Sequence, residues 1–209
     1  MKPNEDGILI KNIVFDVGGV LLEFAPIKYW QRFVDTAEKA EEMAQKTFLS
    51  SEWELLDRGL FERREVIDSL CQKSPDDADI IRRALGSWSN MMEPIEENTR
   101  LVSELDDAGY PLYILSNYPQ QGFKDVREKF DFFQYFRGEV ISGDVAYIKP
   151  EDEIYQVLLD KFSLNPEHTL FIDDNEENIE AAEEAGLVGI HYDEGTDLAE
   201  EMRHYNVSI

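Results

Sequence analysis

A chain of 209 residues that is 43% hydrophobic and 31% charged is a folded, water-soluble type of sequence. It suits one generous domain or a domain with an insertion, and it can bury a sizeable core. The formal net charge of −25 excludes nucleic acid and anionic membrane as partners, because both demand a cationic face. One cysteine, Cys71, excludes an internal disulfide and argues against a structural zinc cluster. No apolar run approaches the roughly 20 residues of a membrane span. The polar, acidic start, Met1 to Gly7, lacks the basic-then-apolar order of a signal peptide. The expected setting is the cytoplasm, with a small-molecule partner and a monomer or weak dimer as quaternary state.

The chain opens on Asn12-Ile13-Val14-Phe15, a continuous apolar run that reads as a strand buried on both faces. It stops at Asp16, and the turn after it holds Gly18 and Gly19, residues that allow positive φ and close approach of a ligand. Phe24-Ala25-Pro26 breaks the pattern. From there to Pro94 the spacing predicts helices near Ile27 to Phe48, Ser51 to Asp57, Glu62 to Gln72 and Pro75 to Met91, with no convincing strand. Residues 24–93 therefore read as an all-helical insertion, a cap, in an α/β core made of 1–23 and 94–209. Within that core, Leu101, Val102, Leu105 and Ala108 mark a helix that Gly109 ends. The strand Leu112 to Leu115 runs into Ser116-Asn117, and a helix near Gln120 to Phe130 leads to Val140-Ile141 and the loop Ser142-Gly143-Asp144. Lys149-Pro150 opens a further helix in this reading, with Pro150 in its first turn. The strand Thr169 to Ile172 ends at Asp173-Asp174, and Val188-Gly189-Ile190 is the last core strand.

Strand and helix alternate through the core, the pattern of a parallel, Rossmann-like sheet flanked by helices. All strands then point their carboxyl ends the same way, so Asp16, Ser116 with Asn117, and Asp173 with Asp174 converge on one edge. Each signal taken singly also fits a turn or a helix cap. Three carboxylates brought together repel unless a cation intervenes. Oxygen-only ligands without histidine or cysteine favour a hard ion, Mg²⁺ first among them. Asp16 is then placed to attack phosphorus while the metal neutralises charge on the phosphoryl oxygens.

The order Phe15-Asp16-Val17-Gly18-Gly19-Val20-Leu21, Leu115-Ser116-Asn117, Lys149-Pro150 and Phe171-Ile172-Asp173-Asp174-Asn175 resembles the haloacid dehalogenase superfamily over essentially the whole chain. Within it, Trp53-Glu54-Leu55-Leu56-Asp57-Arg58-Gly59 and the Asp-x-Gly-Gly-Val first motif are similar to a bacterial subgroup that includes a glucose-1-phosphate phosphatase. The resemblance implies a Mg²⁺-dependent phosphatase of small phosphorylated metabolites, sugar phosphates among them, working through an aspartyl-phosphate on Asp16. It implies Asp16 and the Gly18 carbonyl as metal ligands, Asp174 as the direct acidic ligand, and Asp173 with Asn178 in outer support. Ser116 would bind the phosphoryl group with help from Asn117, and Lys149 would balance its charge.

One position departs from the superfamily pattern. Most of its phosphatases carry a second Asp two residues after the nucleophile as general acid and base, and here that position is Gly18. Either the leaving group needs little protonation or a cap residue such as Glu54 or Asp57 supplies the proton. The rival reading is a phosphate-ligand binding or regulatory protein with little turnover. A haloacid dehalogenase ranks third, because Asp173-Asp174 would repel a carboxylate substrate. A mutase ranks below that, for want of the acid–base group. Among the cap aromatics Trp30 and Trp88 read as core, whereas Trp53 and Arg58 are candidate substrate contacts beside the Asp57-Arg58-Gly59 turn. His168, His191 and His204 stand alone in the sequence and read as structural or exposed.

Overall fold

A computed structural model of the chain describes residues 9–86, 88–193 and 195–209; the polar start, Met1 to Gly7, lies outside the described residues. The apolar runs form five short strands: β1 (Asn12–Phe15), β2 (Leu112–Ser116), β3 (Gly138–Ile141), β4 (Thr169–Asp173) and β5 (Val188–His191). They make one parallel sheet in the order β3-β2-β1-β4-β5, with β1 at its centre. Alternate residues of each strand face opposite layers. Ile13, Phe15, Ile114 and Ile172 belong to one apolar cluster, and Val14, Leu115 and Phe171 to another. The helices α6 (Glu96–Asp107), α7 (Gln120–Lys129) and α11 (Leu198–His204) cover the first face, while α9 (Asp152–Phe162) and α10 (Glu176–Glu184) cover the second. No helix among the described residues is long and apolar enough to cross a membrane.

Between β1 and α6 the chain inserts α1 (Pro26–Trp30), α2 (Ala37–Lys46), α3 (Ser51–Asp57), α4 (Arg63–Lys73) and α5 (Ala78–Leu85). Their buried side chains, among them Trp30, Met43, Ile81 and Leu85, merge with the first face of the sheet into one continuous cluster. The insertion therefore shares its apolar interior with the sheet.

Several sequence expectations are corrected here. The helix expected from Ile27 to Phe48 is two helices, because Thr36 starts a new one by accepting the Lys39 N–H at 3.2 Å. Tyr29, Trp30, Phe33, Ala40 and Ala44 keep helical spacing across the break, which hides it from a periodicity reading. The stretch expected as one helix from Pro75 to Met91 is a 3₁₀ turn, Pro75–Asp77, then α5, then a second 3₁₀ turn, Trp88–Met91. Pro150 stands ahead of α9, whose N-cap is Glu151, because the Lys149 backbone is held by Asn117 instead. Ser142-Gly143-Asp144, expected as a loop, falls in one helical turn, α8 (Ser142–Val145).

The sheet interior offers a direct test of these layers. Phe171 is fully buried at the centre of β4 and meets Tyr155 edge-on, with ring centroids 6.0 Å apart. Phe171→Ala is expected to lower unfolding stability by about 3–5 kcal/mol, read as a shifted midpoint in urea with an unchanged slope. A loss under about 1 kcal/mol would mean that this layer is not packed as described.

Candidate active site

Register brings the strand ends together. Phe15 pairs with Ile114 on one side and Ile172 on the other, which sets Asp16 level with Asp173, with Ser116 ending the neighbouring strand. After β3 the chain crosses to the far side of β1, so this edge is the switch point of the sheet, where open α/β folds place their ligands.

Lys149 is the hub. Its ammonium lies 2.9 Å from Asp16 Oδ1 and 2.6 Å from Asp173 Oδ2, and all three side chains are buried. Burial opposes a charged lysine, but Asp16 and Asp173 outweigh it and push the ammonium above its ordinary value. The lysine is aimed by Asn117. That side chain accepts the Lys149 N–H at 2.8 Å and donates to the Lys149 carbonyl at 2.9 Å. The second oxygen of Asp173 accepts from Asn178 Nδ2 at 3.0 Å and from the Asn175 N–H at 2.9 Å. Asp173 is thus held at both ends, consistent in geometry with a supporting part.

Asp174 completes the cluster. Oxygens of Asp16, Asp173 and Asp174 all lie within 4.8 Å of one another. Burial, with Asp173 and Asp174 adding to it against the pull of Lys149, pushes Asp16 up to about 7. Burial, and then Asp173, raise Asp174 as well. Three ionised carboxylates and one ammonium leave a formal charge of −2, which one divalent cation cancels. The donors are all oxygen, and a hard ion fits them.

The two glycines of the first loop differ in what they do. Gly19 has φ +76°, and a Cβ there would sit 2.0 Å from Asp174 Oδ2. The Asp174 carboxylate therefore packs against bare backbone, and only glycine serves. At Gly18 a Cβ would meet nothing nearer than Phe24 Cβ at 3.6 Å, an ordinary contact, so the backbone at this position does not require glycine.

These residues open onto a cavity of about 290 Å³. Asp16, Gly18, Ser116, Asn117, Asp174 and Asn178 form its polar end. Phe24, Phe48, Trp53, Trp88 and Met92 form an apolar wall, with Asp57 and Tyr118 also lining it. Ser116 is buried, and its hydroxyl makes no hydrogen bond to the described residues. A larger open groove of about 890 Å³ runs along α4 and the start of α7, and none of the clustered carboxylates lines it.

Of the residues singled out from sequence, Asp16, Gly18, Ser116, Asn117, Asp174 and Trp53 line the cavity, with Lys149 and Asp173 bonded behind it. Arg58 does not line it. Its guanidinium forks onto Glu151 at 2.8 and 3.0 Å and reaches Glu54 at 3.0 Å, tying α3 to the start of α9. Sequence reasoning assigned Trp88 to the core and overlooked Tyr118, yet both line the cavity. Tyr118 follows the strand end by two residues, so the rule that found Ser116 reaches it too. His191 Nε2 lies 3.1 Å from the Asp174 carbonyl and donates to it in the tautomer protonated at that nitrogen, a contact its isolation in sequence does not show. Ser142 Oγ donates to the Asp57 carbonyl at 2.6 Å and accepts the Tyr118 N–H at 2.9 Å, joining α3 to two strand ends.

A description of the haloacid dehalogenase-like hydrolases matches residues 10–186. The chain is similar to the sesquiterpene phosphatase astK of Aspergillus oryzae, 29% identical over 92% of this chain and 95% of that one. It is also similar to a phosphorylated carbohydrates phosphatase of Thermotoga maritima, 25% identical over 86% of this chain and 83% of the relative. In fold it is similar to a haloacid dehalogenase family enzyme of Bacteroides thetaiotaomicron, solved with magnesium and inorganic phosphate. The TM-score is 0.74 and the identity 24%, with 93% of this chain and 100% of that one covered. With the family match spanning most of the sequence and the strand-end carboxylates gathered on one edge, this chain belongs to the haloacid dehalogenase-like hydrolases.

Proposed function

We propose that the chain is a Mg²⁺-dependent phosphatase of small phosphomonoesters, with Asp16 as nucleophile and residues 24–93 as a cap over the site. The observation that carries this reading is the cluster of Asp16, Asp173 and Asp174 around Lys149, open to a cavity with an unengaged serine hydroxyl. The relatives named as phosphatases, and the magnesium and phosphate bound by the Bacteroides enzyme, support it.

In this reading Asp16, the Gly18 carbonyl and Asp174 would hold the ion, with Asp173 and Asn178 bracing the set. When bound, the ion supplies positive charge against the phosphoryl oxygens and keeps Asp16 ionised. Asp16 Oδ2 attacks phosphorus while Oδ1 stays on Lys149 and the Val17 N–H, at 2.9 and 2.7 Å. Ser116 and the Asn117 region hold the phosphoryl oxygens, and Lys149 balances charge from behind. Arg58, expected from sequence as a substrate contact, serves here to seat α3.

The wall bears on the leaving group. Its aromatic and Met surface suits an alcohol with a ring or hydrocarbon body, sugars included. Trp88 Nε1 and the Tyr118 hydroxyl are buried without protein partners among the described residues, and both residues line the cavity. They are the natural hydrogen-bond partners for the few polar atoms of such a body. Anomeric sugar phosphates and sesquiterpene phosphates, the latter named for the fungal relative, are therefore the two substrate families to try first.

Release of inorganic phosphate from such a panel should require Mg²⁺ and fall to background in Asp16→Asn. Turnover that survives Asp16→Asn would reject the covalent route, and Mg²⁺ binding with no turnover on any monoester would favour a phosphate-binding protein. Mg²⁺ binding should also respond to acid. Because Asp16 without a cation titrates near 7, the ion must displace a proton below that pH. Affinity measured by calorimetry should fall by about tenfold per pH unit below 7 and level off above it; a flat profile from pH 5 to 8 would remove Asp16 from the ligand set. Finally, Gly19→Ala should abolish Mg²⁺ binding by pushing Asp174 aside, whereas Gly18→Ala should retain it. Equal behaviour of the two variants would contradict the geometry of the loop.

A further inference from the structure

We propose that Asp57, carried by α3 of the insertion, is the general acid and base of the reaction, standing in for the side chain that Gly18 lacks. The inference rests on the phosphatase reading above and adds to it the source of the proton. Four observations carry it. Asp57 lines the same cavity as Asp16 and Ser116, on the α3 side. Its carboxyl makes no hydrogen bond or ion pair with the described residues, unlike Glu54 one turn earlier, which is engaged by Arg58. Its backbone is fixed to the core: the carbonyl accepts from Ser142 at 2.6 Å, and the next residue, Arg58, is pinned to Glu151. No carboxyl other than Asp16, Asp174 and Asp57 lines this cavity among the described residues, and the first two are committed to the nucleophile and the ion.

The surroundings favour a protonated resting state. Burial first, then the charges of Glu54 and Asp16, push Asp57 well above the usual carboxylate range. Among the described residues no lysine or arginine charge offsets them, and the neighbouring Tyr118 hydroxyl is itself raised, by burial and then by Asp57. A neutral carboxyl facing the leaving group is what protonation of an alkoxide needs.

The step balances without a further reagent. Asp16 Oδ2 forms a bond to phosphorus as the bond from phosphorus to the ester oxygen breaks. The electron pair stays on that oxygen, which takes the proton from Asp57 and leaves as the alcohol. The Asp57 carboxylate then accepts a proton from water as the water oxygen attacks phosphorus. The bond from phosphorus to Asp16 breaks, phosphate departs, and Asp57 is protonated again.

The test compares a simple alkyl phosphate with para-nitrophenyl phosphate, whose leaving phenolate needs no proton. In Asp57→Asn, kcat/KM on the alkyl ester should fall about 10²–10⁴-fold. On para-nitrophenyl phosphate kcat/KM should hold within a few-fold, with a burst of one phenolate per enzyme followed by slow turnover, because the second step still lacks its base. Glu54→Gln should lose far less than Asp57→Asn on the alkyl ester, a few-fold at most, because burial, the larger cause, still raises Asp57 when the charge of Glu54 is gone. Gly18→Asp added to Asp57→Asn should restore much of the alkyl activity, since a side chain fits at residue 18. Equal losses on both esters would assign Asp57 a merely structural part, and no loss on either would take the proton elsewhere; both results overturn the inference. A loss in Glu54→Gln that matches the expected one would move the role to Glu54. Parent protein that is silent on every monoester overturns the phosphatase reading itself, and Mg²⁺-dependent phosphate binding by Asp57→Asn confirms that the variant is folded.

Discussion

A lysine ammonium caught between two buried carboxylates organises this molecule. Buried charges are costly unless paired, and removing one member of a buried pair generally costs about 3–5 kcal/mol. Lys149 satisfies Asp16 at the end of the central strand and Asp173 at the end of its neighbour, so one side chain fixes the spacing of β1 and β4 at the edge where the ligand must sit. The lysine cannot drift, because Asn117 grips its backbone in both directions from the end of β2. Three strand ends are thereby locked through polar contacts at the rim of the apolar core, with the Lys149 ammonium 5.5 Å from the centre of the Phe171 ring. The arrangement also leaves a defined shortfall of positive charge, which makes the edge a candidate cation site.

The net charge of −25 might be expected to turn an anionic substrate away, yet it acts through water and salt. Screening confines exposed charges to about 8 Å at physiological ionic strength. Lys149, Asp16 and Asp173 are shielded from that screening by burial. On the proposed reading an approaching phosphoryl group would meet the local set, in which Ser116, the Asn117 region and a bound ion would outweigh distant surface carboxylates. Composition argues against polyanions, which need an extended cationic face, and has no bearing on a single phosphate held in a crevice.

Much of the site was legible because a parallel sheet converts sequence order into spatial convergence. Asp16, Ser116 and Asp173 each follow an apolar run, and in-register pairing brings them to one edge whatever lies between. Contacts made across elements were not legible. Nothing in the sequence of α3 says that Arg58 turns outward to Glu151 while Asp57 faces the cavity, since adjacent residues on a helix end differ by about 100°. Trp88 looked like core because apolar residues at helical spacing do fill cores, and it is indeed buried, but at the cavity wall. The break after Trp30 was hidden because the apolar stripe continues across it while a single threonine restarts the helix. The two glycines looked alike in sequence. Only the approach of Asp174 separates the one that must be glycine from the one that merely is.

That difference bears on how the inserted helices and the sheet work as a unit. The loop after β1 has room for a side chain at residue 18 but places none there, and Phe24 lies beside the gap. The Asp57 carboxyl reaches the same cavity from α3, and it is held by contacts that exist only while α3 is seated: Ser142 on the Asp57 carbonyl and Glu151 on Arg58. Were α3 to lift, both contacts would break together, the aromatic wall would part, and Asp57 would withdraw from Asp16. If Asp57 gives the proton as proposed, exclusion of water and arrival of the proton donor would be one event, set by the same few bonds. An acid on the loop of Asp16 would be present whether or not the cavity was closed. An acid placed on the insertion would make catalysis conditional on closure, and so on whatever leaving group lets Phe24, Trp53 and Trp88 close around it.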